Sequence, residues 1–274
     1  MTGPFAGSLA EPLGGKTAIV AGAASGVGRA IARRFAAAGA RLMLADTDDA
    51  GLDRTIDRIE APPEHLARFA HAIEDKLGVT NLIAATIDAF DRIDIVVTGA
   101  RTCPAGGLFD LTAADFDAAL SCNVRSAFLL TQLVGRRMIQ QREADPDFVG
   151  TLVNISSIAA RRTVSGLLAY SVSTAALDQL TRSAAACLAP HGIRVNAVAL
   201  GAVMTANLRQ ALHENEELRD EIAAVTPLGR VGEAAEAAEA ALFLASPGAG
   251  FITGQIVAVD GGRMVLDPLA SPVP

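Results

Sequence analysis

Short apolar runs alternate with longer amphipathic stretches along most of this chain. The runs are rich in β-branched residues, whereas the longer stretches repeat apolar residues every three or four positions. This alternation is typical of βαβ units, so we predict one α/β domain in which a doubly wound parallel sheet of about seven strands is flanked by helices. The predicted strands span residues 17–21, 41–45, 66–70, 93–97, 150–155, 194–199 and 256–259.

The amphipathic stretches predict helices over residues 27–38, 113–138 and 170–188. Residues 64–73 are ambiguous, because they suit either the third strand or a helix that continues to residue 90. We place the domain at residues 16–262, since the two ends, 1–15 and 263–274, are typical of disordered tails.

Composition excludes several classes of function. The 274 residues carry a net charge of −7 with dispersed basic residues, which argues against nucleic-acid binding. No apolar run has the length of a signal-peptide core or a membrane span, so we expect a cytoplasmic protein without membrane contact. The histidines show no metal-ligand spacing, and we expect no metal. Small buried or half-buried side chains are predicted for the three cysteines, Cys103, Cys122 and Cys187.

A glycine-rich turn follows the first predicted strand. Gly22, Gly26 and Gly28 have the spacing Gly-x-x-x-Gly-x-Gly at the start of the first helix. Gly22 permits the turn, Gly26 lets the backbone approach a pyrophosphate, and Gly28 permits close packing of helix against strand. Ser25 and Val27 complete the turn and the helix N-terminus, where free N–H groups favour an anion. The segment predicts a Rossmann-type dinucleotide site.

Asp46 stands at the end of the second strand, eighteen residues after Gly28. A carboxylate there accepts hydrogen bonds from the adenosine ribose hydroxyls and repels the 2′-phosphate of NADP, which favours NAD as the cofactor. The alternative is an ordinary loop aspartate that caps the following helix, although Asp48 can serve as that cap instead.

A serine and a tyrosine are the candidate catalytic pair. Ser157 precedes Tyr170 by thirteen residues, and Thr174 follows it by four. Together with the glycine turn, this spacing resembles the short-chain dehydrogenase/reductase family over residues 16–262. Further matching motifs are Cys122-Asn123-Val124, Asn154-Ile155-Ser156-Ser157, Pro227-Leu228-Gly229-Arg230 and Asp260-Gly261-Gly262. The resemblance implies a homotetrameric or dimeric NAD(P)-dependent oxidoreductase that acts on small-molecule alcohols and ketones.

The resemblance also implies roles for matching residues. Tyr170 is the expected general acid or base at the carbinol oxygen, Ser157 steadies that oxygen, and Asn123 holds a water molecule. Cofactor-contacting positions are matched by Ala100, Gly201, Val203 and Thr205. The family places a lysine four residues after the tyrosine, where it binds the nicotinamide ribose and favours the tyrosinate. Here that position is Thr174, which offers a hydroxyl but no charge.

The missing cation should slow one reaction direction more than the other. A cation about 5 Å from a tyrosinate stabilises it by about 3 kcal/mol at an effective dielectric constant of about 20. Alcohol oxidation needs the tyrosinate and should suffer most, whereas ketone reduction uses the protonated tyrosine. Neither Lys16 nor Lys76 is near Tyr170 in sequence. Arg161, Arg162 and Arg182 are candidates to replace the lysine only if the fold brings one of them inward, and we expect them to be solvated surface charges.

Two further segments differ from the family pattern. The family's Asn-Asn-Ala-Gly after the fourth strand reads Thr98-Gly99-Ala100-Arg101 here. The family's aspartate that receives the adenine amino group would fall near Ala72, with Glu74 or Asp75 as stand-ins. Several changes around one cofactor suggest weak binding or a changed role.

The sequence leaves three functions open. The first is an NAD-dependent oxidoreductase impaired by loss of the lysine, and the second is a non-catalytic NAD(H)-binding or structural relative. The third is non-redox chemistry on an activated carbonyl by Ser157 and Tyr170. On the substrate side, residues 202–227 predict a mobile amphipathic helix pair over the site.

Overall fold

Parallel β-strands form the centre of the protein. The structure, a computed structural model, describes residues 11–24 and 26–265, and of residues 206 and 207 it describes only the backbone. The strands in chain order are β1 (Thr17–Ala21), β2 (Arg41–Ala45), β3 (Leu66–Phe69), β4 (Ile95–Thr98), β5 (Gly150–Ser157), β6 (Ile193–Leu200), β7 (Val203–Met204), β8 (Gly232–Glu233) and β9 (Ile256–Val259). A seven-stranded parallel sheet has the order β3-β2-β1-β4-β5-β6-β9, which confirms the predicted fold class.

Helices cover both faces of this sheet. They are α1 (Gly26–Ala37), α2 (Asp49–Ile56), α3 (Lys76–Phe90), α4 (Ala113–Leu120), α5 (Ser126–Ala144), α6 (Leu168–Leu188), α7 (Ala206–Glu214), α8 (Glu217–Ala224) and α9 (Ala234–Ala245). One apolar core joins α1 and α9 to the sheet through side chains such as Phe35 and Leu242. The other joins α3 and α5 to the opposite face through Leu82 and Leu130. Burial on both faces explains why the strands are continuous apolar runs.

Most predicted boundaries agree with the structure. β1, β2 and β9 have the predicted bounds, and the helical alternative for residues 64–73 is wrong, because β3 pairs in parallel with β2. The helix predicted over 113–138 is interrupted by a π-helical turn, Ser121–Arg125, and continues to Ala144. Such turns insert a residue into a helix and are frequent at functional sites.

Ordered structure extends beyond the predicted domain limits. Leu13 is buried in the core, and its backbone N–H donates to the Ala38 carbonyl at 2.9 Å. After residue 262, the N–H of Met264 donates to the Asp260 carboxylate at 2.8 Å. The rest of the predicted tails, residues 1–10 and 266–274, lies outside the described part of the chain.

The predicted helix pair over the substrate side is present as α7 and α8. It lies between β7 and β8, which pair in parallel through Val203 with Gly232 and Met204 with Glu233. A small apolar cluster, separate from the two main cores, holds the segment together and contains Leu212, Ile222 and Val231.

The cysteines are free, and Cys103 and Cys187 are exposed, so the prediction of buried or half-buried side chains holds only for the partly buried Cys122. Within residues 11–24 and 26–265, no cluster of three His, Cys, Asp or Glu residues is arranged to hold a metal ion. In the same ranges, every helix is too short or too polar to span a membrane.

Candidate active site

An open pocket of about 300 Å³ lies at the carboxyl ends of β1, β2 and β4. The strand order reverses between β1 and β4, which is where doubly wound sheets bind their ligands. The lining includes Gly22, Gly26, Val27, Gly28, Asp46, Ala72, Glu74, Ala100, Arg101, Cys122 and Thr205. Most of the predicted cofactor-contacting residues therefore share one pocket.

The glycine turn has a geometry that side chains would prevent. Gly22 and Gly26 have φ angles of 82° and 55°, in the left-handed region that favours glycine. A Cβ on Gly22 would lie 2.6 Å from the Gly99 carbonyl carbon, and a Cβ on Gly28 would lie 2.0 Å from the Gly22 carbonyl oxygen. The turn therefore leaves bare backbone at the N-terminus of α1, where a pyrophosphate fits. Ser25 lies outside the described residues.

The Asp46 carboxylate faces the glycine turn. Its Oδ2 accepts from the Ala24 N–H at 3.0 Å, and its Oδ1 accepts from the N–H groups of Thr47 and Asp48 at 2.8 and 3.2 Å. Asp48 is the cap of α2, because it accepts from the Gly51 N–H at 2.9 Å, so the capping alternative for Asp46 is wrong. Since a carboxylate accepts about four hydrogen bonds, Asp46 keeps acceptor room for a ribose hydroxyl.

The two stand-ins for the adenine-contacting aspartate have different surroundings. Glu74 lines the pocket together with His71 and Ala72. Asp75 is the N-cap of α3 and accepts from the Gly78 N–H at 2.7 Å. Asp75 is therefore engaged by its own helix, and Glu74 is the carboxylate at the pocket.

Cys122 is a further polar residue that lines this pocket. Burial raises the pKa of its thiol to about 11, and the Glu74 carboxylate adds to this effect. A thiol with such a pKa is neutral at physiological pH, so Cys122 is not a thiolate nucleophile.

The remaining predicted cofactor residues are distributed over three places. The Thr205 methyl group lies 3.4 Å from the position of a Cβ on Gly26, so Thr205 closes the pocket beside the glycine turn. Gly201 lines a neighbouring cavity, and a Cβ there would lie 2.8 Å from the Asp260 Cα. Val203 is buried in the core, so the structure does not bring it to the pocket surface.

The residues present fit an adenine dinucleotide. The backbone N–H groups at the start of α1 match the charge of a pyrophosphate, and the bare glycine turn leaves it room. The remaining acceptor position of the Asp46 carboxylate matches a ribose hydroxyl.

Ser157 and Tyr170 line the neighbouring cavity, whose volume is about 800 Å³. Ser157 ends β5, Tyr170 lies in the first turn of α6, and each residue is 8% exposed. The Ser157 hydroxyl accepts from the Ala159 N–H at 3.1 Å. The structure therefore brings the predicted serine and tyrosine to one surface.

The rest of this cavity is apolar and basic. Its apolar lining includes Ile158, Val164, Leu167, Leu200, Leu218, Ile222 and Val225. Its charged lining, among the described residues, consists of Arg101, Arg162 and Arg263. Part of the apolar wall comes from α8, so the helix pair contributes to the cavity as predicted.

Asn123 lies in the π-helical turn and makes three hydrogen bonds. Its Oδ1 accepts from the Thr102 N–H at 2.8 Å, and its Nδ2 donates to the Thr102 carbonyl and to the Ser173 hydroxyl, both at 2.9 Å. Asn123 thus joins the loop after β4 to α6 and uses both of its amide protons. Its oxygen retains one lone pair for the water molecule that the resemblance implies.

Thr174 is buried one helical turn after Tyr170. Its hydroxyl donates to the Tyr170 carbonyl at 2.8 Å and lies 3.2 Å from the Ser171 carbonyl. A hydroxyl has one proton, so this bond to the helix backbone leaves none for a cofactor. Thr174 lines a cavity of only about 10 Å³ together with Tyr170, Asn123 and Arg101, and this cavity has room for about one water molecule.

The altered Asn-Asn-Ala-Gly segment begins with Thr98, the last residue of β4, whose hydroxyl is hydrogen-bonded. The Thr98 hydroxyl donates to Asn154 Oδ1 at 2.6 Å, and Asn154 Nδ2 donates to the Thr181 hydroxyl at 2.8 Å. All three residues are buried. Because each of these polar groups is paired, the change at Thr98 leaves no unsatisfied group in this chain of bonds.

The three arginines considered as substitutes for the lysine are exposed, as predicted. Arg161 lies 3.6 Å from the buried Asp178, which also accepts a hydrogen bond from Ser156 at 2.6 Å. Burial raises the pKa of Asp178, and both neighbours oppose this effect. Arg162 additionally lines the larger cavity, whereas Arg182 bonds Gln179 on the surface of α6.

Arg101 is a site residue that reasoning from the sequence did not identify. It lines the dinucleotide pocket, the small cavity beside Thr174 and the larger cavity of Tyr170. The signal in the sequence is an arginine at the last position of the altered Asn-Asn-Ala-Gly segment. Only the fold shows that this position lines the same two cavities as Tyr170.

The chain is similar to proteins of known families over nearly its whole length. The sequence profile described as enoyl-(acyl carrier protein) reductase matches residues 22–263. A 3-oxoacyl-(acyl-carrier-protein) reductase of Thermotoga maritima is 32% identical over 253 residues, which cover 92% of this chain and 99% of the relative. A galactitol 2-dehydrogenase (L-tagatose-forming) of Cereibacter sphaeroides is 37% identical over 255 residues, which cover 92% and 96%.

A solved structure has a closely similar fold. A 7α-hydroxysteroid dehydrogenase complexed with NADH and 7-oxo glycochenodeoxycholic acid matches with a TM-score of 0.85 at 32% identity, covering 93% of this chain and 97% of that one. The names of the two relatives and of the solved structure specify different substrates but one type of chemistry, the oxidation of an alcohol or the reduction of a carbonyl, whereas the profile is named for the reduction of an enoyl group. On its motifs, its fold and these similarities, the chain belongs to the short-chain dehydrogenase/reductase family.

Proposed function

We propose that the protein interconverts a carbonyl and a secondary alcohol of a small molecule, with NAD(H) as its cofactor. The observation that carries this proposal is the shared cavity of Ser157 and Tyr170, which adjoins the dinucleotide pocket at Arg101. The relatives support the reaction class, and one of them has NADH bound. When bound, the nicotinamide supplies a hydride to the carbonyl carbon or accepts one from the alcohol carbon.

The protein's own residues handle the proton. In the reductive direction the Tyr170 hydroxyl gives its proton to the carbonyl oxygen, and in the oxidative direction the tyrosinate takes it back. The Ser157 hydroxyl donates to the same oxygen. Within the protein this hydroxyl donates to the Leu200 carbonyl at 3.4 Å, which is long for a hydroxyl hydrogen bond. The proton is therefore available to a substrate oxygen.

The charges around the pocket favour NAD over NADP. The strand ends on the adenosine side carry Asp46 and Glu74, and a 2′-phosphate beside them would meet like charge. Arg29 is not turned toward the pocket, because its guanidinium donates to Thr55 Oγ1 at 3.0 Å and to the Ala24 carbonyl. Its interactions join α1 to α2.

Calorimetry tests the cofactor directly. NAD⁺, NADH and NADPH are titrated into the purified protein, since a chain without tryptophan lacks the usual fluorescence signal. We expect NADH to bind at micromolar concentrations and NADPH at least about tenfold more weakly, a difference of about 1.4 kcal/mol. Absence of binding by all three would contradict the proposal.

A panel of ketones tests the reaction. The panel pairs uncharged ketones with carboxylate-bearing ones, because the cavity of Tyr170 is apolar and its charged lining, among the described residues, is basic. We expect NADH oxidation with apolar members of the panel and no turnover with the Tyr170→Phe variant.

A non-catalytic role is the second candidate, and the Thr174 hydroxyl favours it, since its proton is bound to the helix backbone. This role predicts NADH binding without turnover of any panel member. It also predicts that Tyr170→Phe leaves the protein's biological activity unchanged. The two candidates therefore differ in the outcome of one variant.

We also propose a homo-oligomer. The edge strand β9 carries the partly exposed Val257, and the fully exposed Phe251 precedes it. An apolar sheet edge is commonly covered by a neighbouring chain. Light scattering during gel filtration tests this, with a Phe251→Asp variant expected to lower the mass of the assembly.

A further inference from the structure

A buried carboxylate joins the two elements that carry Ser157 and Tyr170. Asp178 lies in α6, eight residues after Tyr170, and is only 3% exposed. The described lining of the two cavities that Tyr170 shares does not include it. Because an aspartate is rarely buried to this extent without specific partners, its contacts indicate what it does.

Each oxygen of this carboxylate meets a different end of one short turn. Oδ1 accepts from the Ser156 hydroxyl at 2.6 Å, and Oδ2 lies 3.6 Å from the Arg161 Nε. Ser156 directly precedes Ser157 in β5, and Arg161 directly follows the 3₁₀ turn Ile158–Ala160. The carboxylate therefore holds both ends of the segment that carries Ser157 against the helix that carries Tyr170.

Hydrogen bonds within the turn are local. The Ser157 hydroxyl accepts from the Ala159 N–H at 3.1 Å, and the N–H groups of Arg161 and Arg162 donate to the Ile158 carbonyl at 2.9 and 2.8 Å. These bonds join residues of the turn to one another, so they fix its shape. The carboxylate on α6 reaches the turn from a different element, so its bonds fix where the turn lies.

A carboxylate at this place lowers the stability of the fold. Burial raises the pKa of Asp178, and the Ser156 hydrogen bond and the charge of Arg161 oppose this effect. A raised pKa means that the folded protein binds this proton more tightly than the unfolded chain, so the ionised form is destabilising above that pKa. An uncharged amide avoids this penalty, but it has a single acceptor oxygen and can hold only one end of the turn.

We propose that Asp178 is a positioning residue that sets the separation of Ser157 from Tyr170 by holding the turn after β5 against α6. The proposal rests on the oxidoreductase function for its purpose, since two hydroxyls that act on one substrate oxygen must stay at a fixed separation. Its first test needs neither substrate nor cofactor. A turn held by Asp178 in a protein without turnover would contradict the proposed function alone.

Hydrogen–deuterium exchange followed by mass spectrometry reports how firmly the turn is held. The reporters are the N–H groups of Ala159, Arg161 and Arg162, which are hydrogen-bonded within the turn. In Asp178→Asn, which keeps one of the two bonds, we expect their peptide to exchange about tenfold faster, with peptides from β1 and β2 unchanged. Equal exchange in this variant and in the wild type would contradict the proposal.

A second bond between the same strand and helix supplies the matched control. Asn154 Nδ2 donates to the Thr181 hydroxyl at 2.8 Å, so Thr181→Val removes a buried hydrogen bond that joins β5 to α6 away from the turn. Thr181→Val should lower the midpoint of chemical unfolding and leave exchange in the turn unchanged. Asp178→Asn should do the reverse. Faster exchange with lower stability in both variants would show a merely structural role and would overturn the proposal.

Turnover of a ketone that the wild type reduces is the second test. We expect Asp178→Asn to lower kcat about tenfold, because misplaced groups react slowly, and to leave the KM for NADH unchanged. Thr181→Val should keep the wild-type kcat. An unchanged kcat in Asp178→Asn, or a change in KM alone, would contradict the positioning role.

Variants of Arg161 test the other end of the turn. Arg161→Gln should lower kcat by only about threefold, since this arginine is exposed and its ion pair is correspondingly weak. Arg161→Lys keeps the cation and should restore most of the loss. Equal kcat values for the two variants would show that the charge at this position does not hold the turn.

Discussion

The two ends of the cofactor pocket differ in how closely they follow the family pattern. At the adenosine end, Gly22 lets the turn pack against the backbone of Gly99, Gly28 lets α1 pack against the Gly22 carbonyl, and Asp46 is held by three N–H groups. At the nicotinamide end, Thr98 and Thr174 stand where the family resemblance places an amide and a cation. Both new hydroxyls are bonded within the protein.

The difference has a physical reason. The adenosine end depends on backbone geometry, because a single added Cβ would collide with the main chain at 2.0 to 2.6 Å. The nicotinamide end depends on side chains, and the hydroxyls of Thr98 and Thr174 are both paired within the protein, so neither leaves a buried polar group unsatisfied. The two ends of the pocket therefore differ in what a substitution would disturb: backbone geometry at one end and side-chain chemistry at the other.

Tyr170→Phe tests whether the nicotinamide end still performs chemistry. Loss of the proton donor should lower the rate of ketone reduction by about 100-fold or more, since general acid catalysis contributes about 10²–10⁴-fold. NADH affinity measured by calorimetry should change little, because the adenosine end is intact. Equal rates for the variant and the wild type would show that Tyr170 takes no part in the reaction.

Gly28→Ala tests the backbone geometry of the adenosine end. The new Cβ would lie 2.0 Å from the Gly22 carbonyl oxygen, so the turn must move. We expect a loss of about 1–3 kcal/mol in the free energy of unfolding. NADH affinity should fall about tenfold or more, which corresponds to at least about 1.4 kcal/mol.

Gly107→Ala is the control for that change, because its nearest neighbouring atom would be 3.5 Å away. Its free energy of unfolding and its NADH affinity should match those of the wild type. If the two variants lost the same stability, the collision at the turn would not be the cause.

Asp46→Asn tests the charge at the adenosine end. The amide keeps an acceptor for the Ala24 N–H but removes the repulsion of a 2′-phosphate, so the ratio of NADPH affinity to NADH affinity should rise about tenfold. Asp48→Asn is the matched control, since asparagine caps a helix as well as aspartate does. An unchanged ratio in both variants would show that another residue selects the cofactor.

Thr174→Lys tests how much charge the nicotinamide end still lacks. Turnover should increase in the oxidative direction, which needs the tyrosinate that a nearby cation favours, provided that circular dichroism shows the variant to be folded, since Thr174 is buried. The measurement compares initial rates of alcohol oxidation and ketone reduction near neutral pH. A variant slower than or equal to the wild type in both directions would contradict the electrostatic argument.

Local patterns predicted the sheet and the glycine turn well. Alternating apolar runs and glycine spacing are set by residues that are near one another in sequence, so β1 and β2 have the predicted bounds. The position of Thr174, four residues after Tyr170, could also be identified from the sequence, because it depends only on distance along the chain.

Features that depend on tertiary contacts were missed. Burial of Leu13 requires the end of α1, and the hydrogen bonds of Asn123 require a loop and a helix from two other parts of the chain. The π-helical turn has no periodicity of its own that a sequence pattern could show. The place of Arg101 in the lining of the same cavities as Tyr170 became visible only with the fold.

The pairing of β7 with β8 has a consequence for how this protein can diversify. It joins the two ends of the segment that contains α7 and α8, and the Gly232 N–H adds a bond to the Ala202 carbonyl at 2.9 Å. Because the ends are held together, a longer or shorter segment changes the chain entropy only logarithmically and leaves the sheet untouched. The segment can therefore be exchanged between relatives as a unit, so that new substrate ranges arise without disturbing the part of the molecule that recognises the dinucleotide.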